Sequence, residues 1–100
     1  MTLYPMKLVT VVTESLAREP LVRLLEEAGA HGYTLTHVEG AGAQGARFAD
    51  MPESANIKFK VLVPPEAAAR IFERLAAEFF PLYATVAYET DVRVVRAGKF

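Results

Sequence analysis

Apolar and polar positions change their spacing several times along this chain, and each change marks an element. Residues 6–13, MKLVTVVT, are apolar and β-branched and predict a buried strand. Leu21, Leu24, Leu25 and Ala28 then recur at helical spacing, with Arg23, Glu26 and Glu27 on the other face. That helix opens near Glu14 or Ser15 and stops at Gly29. Pro20 suits a first turn, not a helix interior, so either the first turn is irregular or the regular helix begins near Glu19. The stretch YTLTHVEG, 33–40, mixes β-formers with threonine and predicts a second strand. A glycine-rich run and the polar segment FADMPESA follow. Ile57, Phe59 and Val61 alternate with Asn56, Lys58 and Lys60, the period of a third strand with one wet face. Pro64 and Pro65 end it and open a second helix, whose apolar stripe is Ala68, Ile71, Phe72, Leu75 and Phe79. Pro81 stops that helix, and residues 82–96, LYATVAYETDVRVVR, predict a long final strand.

The order β-α-β-β-α-β predicts an α+β, ferredoxin-like domain over residues 1–100, with a four-stranded antiparallel sheet and both helices on one face. Tyr33, Leu35, Phe59, Val86 and Tyr88 cannot all point into one layer of helices, so the bare face is a natural site of contact between copies. The 52% hydrophobic content of only 100 residues points the same way.

Charge and composition narrow the function classes. A net charge of −1 argues against general nucleic-acid binding. The absence of cysteine excludes disulfides, thiolate catalysis and cysteine-based metal sites. The first residues lack a signal-peptide pattern, and no stretch approaches the roughly 18 apolar residues of a membrane span. A cytoplasmic protein without direct membrane insertion is expected.

Residues 40–45, GAGAQG, spell G-x-G-x-x-G. A dinucleotide site needs a helix directly after these glycines and an acidic residue about 20 positions on. Here Pro52 and another strand follow, with Lys58 and Lys60 in place of the acid, so the Rossmann reading fails. Glycines can instead turn successive backbone N–H groups toward one anion, and Arg47 could add a bidentate contact. A ligand-free hairpin loop is the bland alternative. His31 and His37 lack metal-ligand spacing, and no structural metal is expected. Glu89 and Asp91 share a strand face without a nucleophile or oxyanion donor, which makes them ion-pair partners for Arg93 or a neighbour; no catalytic residue is assigned. Lys58 and Lys60 share a face that is either solvated or turned toward an anion.

Four segments in order resemble the PII signal-transduction superfamily: MKLVTVVTE, EAGAHGYTLTHVEGAGAQGAR, ANIKFKVLVP and DVRVVRAG. The resemblance covers nearly the whole chain. It implies a homotrimer whose bare sheet faces pack inward, with Tyr83 and Tyr88 in the trimer interior. It also implies an adenine nucleotide in each cleft between subunits and a T-loop at residues 41–55. By position, Thr34 matches a residue near the adenine, and Gly40, Ala41 and Gly42 match the backbone that wraps the nucleotide. Gln44 matches a glutamine near phosphate and metal, and Arg96 an arginine reaching the phosphates from the neighbouring subunit. Arg47 matches an arginine late in the loop of PII-like regulators of bicarbonate uptake. Lys58 completes the candidate nucleotide set.

Departures from the nitrogen-sensing pattern point to another branch. Asn56 stands where a lysine holds 2-oxoglutarate, and the loop has no tyrosine to uridylylate. The link from Phe79 to Tyr83 is too short for the usual triphosphate-clamping loop, so ATP should lose part of its advantage over ADP and AMP. The second arginine expected after Arg96 is missing. The pattern resembles the PII-like branch linked to inorganic carbon, which implies ADP or AMP as ligand, with ATP as an alternative and bicarbonate as a second ligand. Gly45, Ala46 and Arg47 are its candidate donors. The implied partner is a bicarbonate transporter or a carboxysome component. The alternatives are a nitrogen-regulatory PII protein, a small ATPase on the same fold and a metal-tolerance trimer.

Overall fold

In the computed structural model, which describes residues 1–39, 56–96, 98 and 100, the predicted order holds with adjusted boundaries. Strand β1 is Tyr4–Glu14, helix α1 Arg18–Glu27, β2 Thr34–Val38, β3 Asn56–Val63, α2 Pro65–Arg74 and β4 Val86–Val94. The sheet order is β2-β3-β1-β4, and every adjacent pair is antiparallel. This is the ferredoxin-like arrangement expected from the hydrophobic pattern.

Pro20 has the effect its ring predicts. A 3₁₀ turn over Ser15–Ala17 precedes α1, and the proline falls in the first turn of the regular helix, where a missing N–H costs nothing. Pro65 opens α2 in the same way. The end of α2 widens into a π-helical turn over Leu75–Phe79, closed by Phe80 N–H donating to Leu75 O at 2.9 Å. The short link to β4 keeps Tyr83 against Phe79, with ring centroids 5.2 Å apart. Tyr83 therefore packs against its own protomer's core and is half-buried there. The final strand is also shorter than expected, because residues 82–85 form this link.

Strand alternation divides the sheet. Val9, Val11, Ile57, Phe59, Val61 and Val63 face the helices, where they meet Leu21, Leu24, Leu25, Ile71, Leu75 and Phe79 in one buried cluster. Leu35 packs against that cluster and Tyr33 against Phe59, with centroids 4.9 Å apart. Val86 and Tyr88 project from the opposite side and are 62% and 49% exposed. The five apolar residues singled out in the sequence thus divide three to two between the faces.

Two polar features lock the helix layer. Arg74 donates from Nη1 to Glu27 at 2.7 Å and from Nε to Glu78 at 2.8 Å, joining α1 to the end of α2. Its guanidinium holds the Glu78 carboxyl below the usual carboxylate range. Arg70 donates from Nε and Nη2 to Ala28 O at 3.1 and 2.9 Å, capping the C-terminus of α1. The chain leaves that helix through Gly29 at φ +106°, a region that disfavours a Cβ, and a Cβ there would sit 3.1 Å from Arg70 Nη2. Gly29→Ala should therefore lower stability by about 1–2 kcal/mol in urea unfolding. An unchanged midpoint would show that the turn relaxes without strain. No helix among the described residues is long and apolar enough to cross a membrane.

Candidate functional site

The register of the sheet assembles the open face in rows. Thr34 on β2 stands opposite Lys60 on β3, Lys60 opposite Thr10 on β1, and Thr10 opposite Tyr88 on β4. The next row is Thr36, Lys58, Val12 and Val86. Both lysines thus lie on the helix-free face, as their alternation requires. The lysine directly across from Thr34 is Lys60; Lys58 lies one row further on, across from Thr36. Lys60 is missing from the sequence-derived candidate set, because alternation assigns a face and only the strand register assigns a neighbour.

A groove of about 440 Å³ opens at this point. It is lined by Leu8, Leu62, His31, Gly32, Tyr33, Thr34, Lys60 and Phe100. Thr34 and Lys60 are exposed, Leu8 and Leu62 half-buried. The cavity joins an aliphatic floor and aromatic walls to one hydroxyl and one ammonium, a composition typical of small-molecule sites. Neither Lys58 nor Arg96 is among its lining residues.

Arg96 follows the end of β4. Strand β4 runs away from the Thr34 row and ends at Val94, opposite Tyr4. From Val86, in the Lys58 row, to Val94 is eight residues, or ~26 Å at strand rise. Exposed Arg96 follows two residues later, and four residues beyond it Phe100 lines the groove. Gly40, Ala41, Gly42, Gln44, Gly45, Ala46 and Arg47 lie outside the described residues, as does the 41–55 segment. Asn56 is described and begins β3 opposite Val38 and Glu14.

The acidic pair on β4 does form ion pairs, with Lys7 on the neighbouring strand and not with Arg93. Lys7 donates to Asp91 at 2.5 Å and lies 3.4 Å from Glu89, and hydrogen bonding to Asp91, then Glu89, holds its ammonium above the usual lysine range. Arg93 faces the same side of the sheet but takes no described part in this cluster. No group of three or more His, Asp or Glu side chains among the described residues could hold a metal ion.

Comparison with known proteins converges on one family. The family profile described as Nitrogen regulatory protein P-II matches residues 6–99. The chain belongs to the P-II family. A PII-like signaling protein from Thermus thermophilus is 46% identical, with a TM-score of 0.86 over 100% of this chain and 99% of that one. CPII from Thiomonas intermedia, solved with ADP and bicarbonate, is 30% identical, with a TM-score of 0.88 over 99% of this chain and 97% of that one. The same P-II relative has been solved with ADP, AMP and acetate, at 29% identity and a TM-score of 0.86 over 100% of this chain and 98% of that one. Within the P-II fold, the groove beside Thr34 lies on the sheet face that the helices leave open.

Proposed function

We propose that this chain is a cytoplasmic PII-like signalling protein, not an enzyme. It binds an adenine nucleotide, ADP or AMP ahead of ATP, in clefts between the copies of a homotrimer. The observation that carries this reading is the groove on the helix-free face, where Thr34 and Lys60 stand side by side over an aliphatic floor in a chain of the P-II family. By the family resemblance, Arg96 reaches the phosphates from the neighbouring protomer. The complexes of CPII with ADP, AMP and bicarbonate support the ligand class. In this reading Gly40, Ala41, Gly42 and Gln44 wrap the nucleotide, while Lys58 and Arg47 add positive charge near the phosphates. Bicarbonate binds between the backbone N–H groups of Gly45 and Ala46 and the Arg47 guanidinium. Ligand occupancy orders the 41–55 segment, which docks on a bicarbonate transporter or a carboxysome component. Ordering of a loop by phosphate contacts is an established switching device.

Calorimetry with ATP, ADP, AMP and cyclic AMP, each with and without bicarbonate, tests the reading. Arg96→Ala should weaken every phosphorylated ligand about ten-fold or more, the worth of one charge-assisted hydrogen bond. Unchanged affinities would remove Arg96 from the cleft, and no heat from any adenylate would overturn the proposal. The family's association with nitrogen regulation favours a second reading, in which 2-oxoglutarate binds with Mg-ATP. Heat from 2-oxoglutarate would favour it despite Asn56, and steady phosphate release from ATP would favour an enzyme.

A further inference from the structure

We infer that the ring of Phe100 is the stacking wall for a purine base in the groove beside Thr34. The inference rests on the adenylate reading above and adds a base-recognition residue to it. Phe100 is half-buried and lines the groove together with Leu8, Leu62, Tyr33, Thr34 and Lys60. The 440 Å³ of free space exists with this ring in place, so the ring bounds the groove and does not plug it. That space falls in the range of ~300–1,000 Å³ that small-molecule sites occupy.

The two phenyl-type rings of the lining differ in their availability. Tyr33 already packs on Phe59, whereas Phe100 has no ring partner among the described residues. Its face can therefore take a flat π-system without giving up a ring–ring contact. Leu8 and Leu62 form an aliphatic surface on the same groove, and the Thr34 hydroxyl and Lys60 ammonium supply hydrogen-bond donors at its edge. A purine matches this set, because its faces are apolar and its edge nitrogens accept hydrogen bonds. A small carboxylate could use Lys60 but would leave the aromatic wall and aliphatic floor without a partner. Stacking on an aromatic side chain tolerates any phosphorylation state, since it contacts the base alone.

Adenosine, AMP and ADP are titrated calorimetrically into the parent protein and into Phe100→Ala. All three should weaken by a similar factor, ~10-fold, the usual worth of one base–aromatic stack. Arg96→Ala should instead spare adenosine. Because the chain contains no tryptophan, Phe100→Trp places a single reporter at this position. It should keep the affinity ranking among the ligands unchanged and lose emission as adenosine saturates the site. Adenylate affinities of Phe100→Ala within two-fold of the parent, or emission from Phe100→Trp that adenosine leaves unchanged, would overturn the stacking role while the adenylate reading stands. A parent protein that binds no adenylate would overturn both.

Discussion

Replacing Phe59 by alanine is expected to lower the unfolding free energy by about 3–5 kcal/mol, the range for truncating a buried aromatic ring. Phe59 is wholly shielded from solvent, stands opposite Val11 and Leu35 in the sheet, and meets the Tyr33 ring. Its removal leaves a void between β3 and the helix layer that stiff β-branched neighbours cannot fill. Small domains have only about 5–15 kcal/mol of stability in total, so the variant should unfold at far lower urea concentration. Phe59→Leu keeps most of the volume and should lose less. The comparison requires one fixed protein concentration, because assembly contributes to apparent stability. A Phe59→Ala midpoint close to that of the parent would mean that the core does not depend on this ring.

The second large effect concerns assembly. On the proposed assembly, Val86→Asp combined with Tyr88→Asp should convert the trimer of 11.0 kDa chains into monomers, read by light scattering on a sizing column. Both side chains project from the helix-free face and are not part of the core cluster, so the protomer should keep its fold. In a symmetric trimer each charge would be repeated three times and buried without a partner, at several kcal/mol per site. Adenylate binding should fall with the mass, since a cleft between copies is lost with the copies. An unchanged mass would place the interface elsewhere, and monomers that bind ADP as the parent does would dissociate the site from assembly.

Several residues show how far local pattern reaches. Prolines 20 and 65 mark the starts of the regular helices within a turn, because a fixed φ and a missing N–H act on the residue itself and its neighbours. Alternation in NIKFKVLV, residues 56–63, correctly separates a buried face from a lysine-bearing one. The same pattern could not choose between Lys58 and Lys60 as the neighbour of Thr34, nor give Lys7 as the partner of Asp91, 84 residues away. It also held no hint that Phe100 lines a groove with Thr34. The π-helical turn and the inward packing of Tyr83 are likewise set by the need to seat Phe79 in the core before a short link.

The amino-acid order by itself settled the element types, the two faces of each strand and the family pattern, because these depend on side-chain spacing over a few residues and on steric limits at proline and glycine. Tertiary structure alone decided which lysine stands beside Thr34 and which cation neutralises the β4 acids. Those outcomes follow from strand register, which is fixed by packing between segments distant in the chain; a shift of two residues would preserve every face while changing every neighbour.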